Sequence, residues 1–462
     1  MHRHFLIPAL LALATSASAC AAQPVREEIL GQDGVLAAAQ GVWRSQESGW
    51  ILEIDGSGIT RWQDTPAACY PSPAGGPTLM GQIEYRYYTA INADTARFEY
   101  LPGDGHAWFE RISALPEHCL ANPDTSSQAI FDAFVSVFER HYGFFEARGV
   151  DWNSQVETAR GQLQPDMSQA ALFDLLAAMI EPLGDSHTKL IAHIEGERRR
   201  AQFGLGETLP RIAASTGETP WLIGLIQQLF SDVLDDGAAH IANDRVITGT
   251  IDNRVGYIQF LTMGGFMTEF EAGTPQWAAA ELEALDTIMD ETLTRFAGMD
   301  AVILDLSNNR GGYDAVCRAI AARFTDEPFL GYSVSVGDEP DPVARYTIEP
   351  AEAPRFTGPV YVLTSDVTVS CGEITTMMLR QLDHVTQVGA TTRGAFSTPL
   401  AKPLPNGWYL ELSNERFADA SGAVYEGRGL PPHIEIHPFP EDAPVVGHAA
   451  AITAILADLD ER

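Results

Sequence analysis

Short runs of alternating apolar and polar residues, separated by Gly and Asp turns, occupy the chain from about Gly41 to Ser113. They read "GVWRSQESGWILEIDGSGITRWQ", "GQIEYRYYTAI", "TARFEYLP" and "HAWFERISAL". A period of two residues places successive side chains on opposite faces of a strand, so these runs predict half-buried β-strands. We therefore expect a small β-barrel or sandwich domain over residues 25–120.

The hydrophobic period then changes to that of an amphipathic helix. In "SSQAIFDAFVSVFERHYGFFEARGV" five apolar residues recur at helical spacing: Ile130, Phe131, Phe134, Phe138 and Tyr142. The stretch "MSQAALFDLLAAMIEPL" repeats the pattern, and Ser168 stands where a helix N-cap is expected. Together the two stretches predict a helical segment over residues 125–200.

Buried-type strands alternate with helices from Arg254 onward. Their order is "RVGYIQFL", "WAAAELEALDTIMDETLTRFA", "DAVILDLS", "DAVCRAIAARF", "PVYVLTS", "EITTMMLRQL", "VTQVGA" and "WYLELS". Such alternation predicts an α/β core with a substantially parallel sheet over residues 254–462. Residues 201–253 are expected to be a connecting region, in which only "TPWLIGLIQQLFSDVL" predicts a helix.

The charge balance narrows the range of partners. The 462 residues include 29 Lys and Arg against 62 Asp and Glu, a formal net charge of −33. A negative field of that size repels phosphate backbones and anionic membranes, so we expect no nucleic-acid partner. A hydrophobic content of 45% is that of an ordinary globular protein.

The N-terminus "MHRHFLIPALLALATSASACAAQP" has a short basic start, an apolar run and small residues at its end. This pattern predicts a secretory signal peptide over residues 1–19, and hence export. Cys20 follows Ala-Ser-Ala, which fits either ordinary cleavage or a degenerate lipoprotein signal that leaves Cys20 lipidated. A periplasmic location, a membrane tether through lipidated Cys20 and an extracellular location all remain open.

Two cysteines lie in loop-like surroundings of the N-terminal region, Cys69 in "PAACYPSPAGG" and Cys119 in "PEHCLANP". Disulfides persist in oxidising compartments, so for an exported chain we expect these two to pair. The sequence contains no CxxC pair and no His/Cys ligand cluster, and we therefore predict neither a metal site nor a cofactor.

The stretch "YVLTSDVTVSCGEITTMMLRQL" runs from an apolar strand through small polar residues into a helix. Ser370 and Cys371 stand side by side in the hinge between them. Active sites in open α/β sheets collect where strands end, and a helix N-terminus favours a developing oxyanion. Either residue is therefore a candidate nucleophile. Glu373, one turn into the helix, is expected to interact with the helix dipole.

A second glycine-rich turn, "DLSNNRGGYD", occupies the equivalent place after the strand "AVIL". Gly311 and Gly312 would let backbone N–H groups approach a reacting carbonyl closely. Asp305, at the end of that strand, is expected to hold the turn through backbone hydrogen bonds. In "PLGDSHTKL", Ser186 and the preceding aspartate offer hydrogen bonds that would fix the tautomer of His187.

Five motifs in order carry a family resemblance: "GDSHT", "DLSNNRGG", "VSCGE", "VGATTRG" and "YEGRGLPPHIEI". Their order and spacing resemble the tail-specific, C-terminal processing serine proteases. The match is closest to the branch that includes the tricorn core protease and the interphotoreceptor retinoid-binding protein modules. The resemblance extends from about Phe131 to the C-terminus. It implies an α/β (α+β) protease core of ClpP/crotonase-like character and a protein or peptide substrate.

The resemblance also implies roles for individual residues. Ser370 corresponds to the nucleophile, and Cys371 would contribute its backbone N–H to an oxyanion hole together with Gly311 or Gly312. Better-known members carry a lysine base in a motif resembling "VGEKTFGKG". Here the aligned stretch is "VGATTRGAF", with Ala395 in place of the lysine.

Without that lysine, a Ser–Lys dyad would need Lys402 or Lys189. The tricorn-like branch resembles instead a Ser–His–Ser–Glu tetrad. Its equivalents here are Ser370, His187, Ser186 and Glu426, with His187 as general base and the last two as a polar relay. A surface turn carboxylate is the other interpretation of Glu426.

Three functions follow in order of support. The first is an exported serine endopeptidase using the tetrad. The second is a catalytically silent relative that binds an apolar ligand or a protein partner on the same scaffold. The third is an esterase, which the absence of a GxSxG motif disfavours. No PDZ pattern is recognised between Ile191 and Asn253, so recognition of a substrate C-terminus stays open.

Overall fold

A computed structural model describes residues 25–73, 79–82, 84–119, 121–337, 342–352 and 354–461. The predicted signal peptide and Cys20 lie outside the described residues. Secondary structure is a mixture of helices and several sheets, as the sequence predicts.

The N-terminal region is β-rich, as predicted. Its elements are β1 (Arg26–Glu28), β2 (Leu30–Gly31), β3 (Gly34–Val35), β4 (Gly41–Ser45), β5 (Trp50–Asp55), β6 (Gly58–Asp64), β7 (Cys69–Pro71), α1 (Leu79–Gln82), β8 (Tyr87–Ala90), β9 (Thr95–Glu99) and β10 (His106–Ile112). Eight of these strands form one antiparallel sheet in the order β1-β8-β9-β10-β4-β5-β6-β7. The strands β2 and β3 pair with each other.

This sheet curls around its own core. Trp43 on β4 contacts Tyr88 on β8, with ring centroids 5.7 Å apart, although two strands separate them in the sheet. Along β5, Trp50, Leu52 and Ile54 point into the same cluster. The period-two pattern therefore produces a single curved, barrel-like sheet with β1 and β7 at its edges, rather than two stacked sheets.

A disulfide joins Cys69 and Cys119, with an S–S distance of 2.06 Å. It ties the start of β7 to the segment that follows β10. The two residues are separated by 50 positions, so the bridge closes a loop that contains much of the N-terminal sheet.

Replacing both cysteines, as Cys69→Ser with Cys119→Ser, is expected to lower the free energy of unfolding by about 2–4 kcal/mol. The physical reason is the additional conformational freedom of the unfolded chain. Urea unfolding of the two proteins measures the difference. Dithiothreitol should destabilise the wild type by a similar amount and leave the double variant unchanged. Equal stability of both proteins without reductant would contradict the expectation.

The helical segment comprises α2 (Ser127–His141), α3 (Trp152–Gln162) and α4 (Gln169–Ile180), followed by the hairpin of β11 (Lys189–Ile194) and β12 (Glu197–Gln202). Ser168 caps α4 as the sequence predicts, since its hydroxyl accepts from Ala171 N–H at 3.2 Å. The strand β11 also pairs with β22 (Tyr409–Ser413), which anchors the segment to the C-terminal half.

Residues 201–253 contain more structure than a connection. They form α5 (Thr208–Ala214), α6 (Glu218–Gln228), β13 (Ala239–Ile241) and β14 (Val246–Ile251). The strand β14 pairs antiparallel with β15 (Val255–Phe260) along its whole length. The predicted boundary at residue 254 thus falls inside a β-hairpin and needs correction, because a short turn carries no hydrophobic signal of its own.

The C-terminal half contains the α/β core predicted from the sequence. After β15 its elements are α7 (Pro275–Arg295), β16 (Ala301–Asp305), α8 (Asp314–Ala322), β17 (Phe329–Val336), β18 (Ala344–Ile348), β19 (Val360–Thr364), α9 (Cys371–Leu379), β20 (Val385–Gly389), β21 (Pro399–Pro403), β22, β23 (Glu415–Ala418), β24 (Ile434–Glu435) and α10 (Val446–Glu461). The main sheet has the order β13-β14-β15-β16-β19-β20-β24 and is parallel from β15 to β24.

Three further features complete the fold. The helices α7, α8 and α9 contribute to one large apolar cluster with the sheet, and α10 contributes to another. The strands β12-β11-β22-β21 and β18-β17-β23 form two smaller antiparallel sheets. The neighbours β16 and β19 end side by side, with Asp305 opposite Leu363, and this brings the two turns that follow them together.

Candidate active site

Ser370 occupies a strained turn between β19 and α9. Its backbone has φ 58° and ψ −123°, a combination that residues other than glycine rarely adopt. The conformation is held by Ser370 N–H, which donates to the Ala395 carbonyl at 2.9 Å. This hydrogen bond maintains the strained conformation, which places the Ser370 hydroxyl at the N-terminus of α9 and at the edge of the sheet.

The turn after β16 meets Ser370 directly. A Cβ atom on Gly311 would lie 2.6 Å from Ser370 Cβ and 3.1 Å from its Oγ, so only glycine fits there. Gly311 N–H itself already donates to Asn309 Oδ1 at 2.9 Å. Among the described residues no acceptor is found for the N–H groups of Gly312 or Cys371. These two amides are therefore the free donors beside the hydroxyl.

The Cys371 thiol faces away from Ser370 Oγ and into the core. The residue is fully buried, and Sγ lies 3.3 Å from the Tyr313 carbonyl. Burial raises the pKa of Cys371 well above its ordinary value, which keeps the thiol protonated. The geometry therefore disfavours Cys371 as the nucleophile that the sequence left open.

His187 lies in the turn between α4 and β11. Its ring is buried, and burial lowers the pKa of His187 to about 4, with Asp185 acting in the opposite direction. The imidazole is thus neutral at neutral pH, which is the form that accepts a proton. The turn is fixed by Asp185, whose carboxylate accepts from His187 N–H at 2.9 Å and from Thr188 Oγ1 at 2.8 Å.

Ser370 and His187 line the same cleft, a cavity of about 590 Å³ that Ser186 also borders. No hydrogen bond joins Ser370 Oγ to the imidazole among the described residues, and His187 Nδ1 is a buried atom without a partner there. The structure thus brings nucleophile and base candidates to one cavity without a direct contact between them.

The other two members of the predicted tetrad are not joined to each other. Ser186 Oγ is buried and, in the described part of the chain, has no partner. Glu426 is buried too, so it is not a surface turn carboxylate. Its carboxylate accepts from Phe396 N–H at 2.8 Å, Ser397 N–H at 3.0 Å and Arg148 Nη2 at 3.0 Å. Burial and Asp185 raise the pKa of Glu426 to about 8.

Arg148, in the "FFEARGV" stretch, connects the histidine turn to two other loops, and its role was not predicted from the sequence. Its side chain is only 7% exposed and donates to the Gly184 carbonyl at 2.8 Å, the Gly394 carbonyl at 3.0 Å and Glu426. It also lies 3.6 Å from Asp185. One guanidinium therefore links the histidine turn to the loops that contain Gly394 and Glu426. A lone arginine between two helices gave no signal for this role.

Glu373 does more than interact with the helix dipole. Fully buried, it accepts from Thr392 Oγ1 at 2.6 Å, Gly394 N–H at 2.7 Å and Ala395 N–H at 2.8 Å. It thereby holds the loop whose Ala395 carbonyl accepts from Ser370. Burial raises the pKa of Glu373.

Asp305 holds the glycine-rich turn as expected, because its carboxylate accepts from Ser307 N–H at 2.8 Å. The same carboxylate lies 2.6 Å from His448 Nε2 and accepts from Tyr257 Oη at 2.6 Å. Burial acts to raise the pKa of Asp305, but His448 and the hydrogen bonds outweigh it, and the pKa is lowered. The C-terminal helix α10 therefore supports the base of the turn.

Neither lysine considered as a base is free to act as one. Lys189 pairs with the Glu411 carboxylate. Lys402 is fully buried, with Nζ 3.9 Å from the centroid of the Trp50 ring of the N-terminal sheet. Burial, reinforced by Arg61, lowers the pKa of Lys402 well below its ordinary value.

The substitution Lys402→Met is expected to raise the free energy of unfolding at pH 7. Burial lowers the pKa of Lys402 in the folded protein, so the lysine opposes folding at pH values below 10.5, its ordinary pKa. The gain should therefore shrink as pH rises toward that value. Chemical unfolding at several pH values measures it. As a control, Lys189→Met should destabilise, since Glu411 loses its partner; a less stable Lys402→Met protein would contradict the expectation.

A second cavity, of about 360 Å³, opens on the other side of Ser370. Its wall is largely apolar and includes Met263, Trp277 and Phe396 from the core and Leu101 from the N-terminal region. The N-terminal sheet therefore borders the site. Tyr70 Oη, on β7, donates to the Pro403 carbonyl at 2.9 Å and helps to hold the sheet there.

Comparison with known proteins supports the same architecture. A family model described as peptidase family S41 matches residues 254–436. A putative peptidase from Parabacteroides merdae ATCC 43184 superposes with a TM-score of 0.57 at 22% identity, over 73% of this chain and 97% of that chain. Mature CPAF superposes with a TM-score of 0.51 at 14% identity, over 72% of this chain and 98% of that chain.

At such identities the two solved structures show the shared fold, while the family match covers both turns described above. The matched range contains the glycine-rich turn, Ser370 and Glu426, and His187 precedes it in the helical segment. The α/β core of this chain thus matches peptidase family S41 over residues 254–436, in agreement with the resemblance to C-terminal processing proteases.

Proposed function

We propose that this protein is an exported serine endopeptidase that hydrolyses peptide bonds through Ser370, with His187 as general base. The observation that carries the proposal is that Ser370 and His187, from distant segments, border one cavity. Ser370 is a strained serine at a helix N-terminus, and burial keeps the pKa of His187 low. Gly312 borders the second cavity, which Ser370 also lines.

In the proposed reaction, Ser370 Oγ attacks the peptide carbonyl while His187 accepts its proton. The N–H groups of Gly312 and Cys371 donate to the oxyanion of the tetrahedral intermediate. His187 then returns the proton to the leaving amine, and the acyl-enzyme forms. Water, deprotonated by the same imidazole, releases the acyl group and regenerates the hydroxyl.

Ser186 and Glu426 are proposed to support His187. Ser186 Oγ and His187 Nδ1, on consecutive residues, are both buried atoms without partners in the described residues, and side-chain rotation that pairs them would fix the tautomer. Glu426 acts through the backbone, because it holds Ser397 N–H and the Ser397 backbone raises the pKa of His187. Both are positioning residues in this proposal.

Export is proposed on two grounds. The N-terminal sequence fits a secretory signal, and the Cys69–Cys119 disulfide is suited to an oxidising compartment. None of the described helices is long and apolar enough to cross a membrane.

A fluorophosphonate probe tests the nucleophile. We expect the probe to label the wild type at Ser370, as read by peptide mass mapping, and to leave Ser370→Ala unlabelled. Ser215→Ala, at an exposed serine after α5, should label like the wild type. Labelling of Ser370→Ala to the wild-type extent would refute the assignment.

The catalytically silent alternative is favoured by the apolar cavity of about 360 Å³ beside Ser370, which suits an apolar ligand. Mass spectrometry of the purified protein, after extraction with organic solvent, would reveal a bound lipid. A bound lipid together with an unreactive Ser370 supports this alternative. A reactive Ser370 with turnover of a peptide library supports the peptidase.

A further inference from the structure

Three potential metal ligands meet behind the Ser370 turn. A carboxylate oxygen of Asp314, Sγ of Cys317 and Sγ of Cys371 all lie within 4.8 Å of one another. Both cysteines are free and fully buried. No metal site was predicted from the sequence, because these three residues form no recognisable ligand motif along the chain.

Local structure explains their convergence. Asp314 and Cys317 are three residues apart in the first turns of α8, so their side chains share one helix face. Cys371 is the first residue of α9, which packs on α8. Asp314 is partly exposed and borders the cavity of about 360 Å³ beside Ser370, which provides an entry path for an ion.

We propose that Asp314, Cys317 and Cys371 form a binding site for one zinc-class divalent cation. Zn²⁺ prefers thiolate, imidazole and carboxylate ligands in tetrahedral geometry, and three protein ligands with an open fourth position are a common arrangement. Here the cavity that Asp314 borders would provide water for the fourth position. Binding breaks two S–H bonds, releases two protons to solvent and forms two S–metal bonds, with no change of oxidation state.

The charge balance of the site is favourable. Two thiolates, one carboxylate and a divalent cation leave one negative charge. Burial raises the pKa of Asp314, and the nearby Arg318 guanidinium, which donates to Tyr332 Oη at 2.6 Å, acts in the opposite direction and would offset that charge. A buried cluster with nearly balanced charge avoids the large free energy of burying isolated ions.

The other group with suitable atoms does not qualify. Cys69, His118 and Cys119 also lie close together, but the two sulfurs are already joined in the disulfide and His118 contacts Asp64 at 3.0 Å. A disulfide between Cys317 and Cys371 is the competing chemistry for the proposed site, and the test below distinguishes the two.

Cobalt(II) added to the reduced protein tests the proposal without any need for catalysis. We expect one Co²⁺ per chain, with a near-ultraviolet thiolate-to-cobalt absorption band that Zn²⁺ abolishes. The substitutions Cys317→Ser and Asp314→Asn should each weaken Co²⁺ binding by at least about tenfold. Ser370→Ala and Asp326→Asn, the latter at an exposed aspartate, should bind as the wild type does. Near-ultraviolet circular dichroism confirms that each variant is folded.

The proposed site would be refuted if the reduced wild type showed no thiolate-to-cobalt absorption band, or if Cys317→Ser bound Co²⁺ as tightly as the wild type. It would also be refuted if disulfide mapping without reductant found Cys317 bonded to Cys371. If Cys317→Ser fails to fold, Cys317→Ala provides the same comparison.

A consequence for activity rests on the proposed function. An ion at this site would tie α8 to α9. Gly312 lies in the turn before α8 and Cys371 begins α9, and these two residues are the proposed oxyanion donors. Zn²⁺ should therefore inhibit peptide hydrolysis by the wild type more strongly than by Cys317→Ser. Unchanged hydrolysis at full cobalt occupancy would refute this inhibitory role, whereas the binding measurement stands apart from it.

Discussion

Replacement of His187 by glutamine is expected to lower kcat/KM for a peptide substrate by about 10⁴-fold, the upper range for a positioned general base. Glutamine preserves much of the side-chain volume but cannot accept the Ser370 proton. Peptide hydrolysis and the rate of fluorophosphonate labelling both measure the loss. A matched control is His240→Gln, at a histidine outside both cavities that border Ser370.

The pH dependence separates a catalytic His187 from a structural one. Since burial lowers the pKa of His187 to about 4, the imidazole is neutral above that pH and protonated below it. The labelling rate of the wild type should be flat from about pH 5 to 7 and should fall about tenfold per pH unit below about pH 4. The residual labelling rate of His187→Gln should not show this fall below about pH 4. Identical profiles, or a variant within tenfold of the wild type at pH 7, would contradict the assignment.

The second large effect is expected for Arg148→Met, which should lower the free energy of unfolding by about 3–5 kcal/mol. Methionine fills much of the space but leaves the Asp185 carboxylate buried without a cation and Glu426 without one of its hydrogen-bond donors; their side chains are 0% and 1% exposed. Burial acts to raise the pKa of Asp185, yet Arg148 and other partners lower it overall. The stabilisation is thus present above the ordinary aspartate pKa and is lost as pH falls through the lowered value.

Urea unfolding measures the effect, and Arg160→Met is the matched control in the same helical segment. Arg160 pairs with Asp132 on the surface, where its side chain is 47% exposed, so its removal should change stability by no more than about 1 kcal/mol. Labelling of Ser370 should also slow in Arg148→Met, because the histidine turn loses its link across the cleft. Equal stability of the two variants would show that Arg148 has no special role.

The hydrophobic pattern predicted the element types where burial is regular. The alternation along β5 and the helical stripe of α2 each have a single buried face, and both elements form as expected. The stretch "WYLELS" forms the strand β22, but this strand lies in the four-stranded antiparallel sheet and not in the parallel one. The hydrophobic period predicts a strand but does not specify its partner strand.

The candidate site was predictable where chemistry lies in local motifs. Strand-to-helix turns after β16 and β19 follow from the sequence, and neighbouring parallel strands bring such turns together. The sequence did not predict which of Gly311 and Gly312 has a free N–H group for the proposed oxyanion hole. In the structure Gly311 N–H already donates to Asn309 Oδ1, which leaves Gly312 as the candidate donor.

By itself, the sequence determined the acidic surface, the β-rich start, the parallel core and the motifs of the region that matches peptidase family S41. These properties depend on residue type and short-range spacing, which folding does not alter. Only the tertiary structure decided which buried groups meet. Arg148 links the histidine turn to Glu426, Lys402 lies on Trp50, and Asp314 lies beside two cysteines, because contacts between residues far apart in the chain are set by packing and not by local pattern.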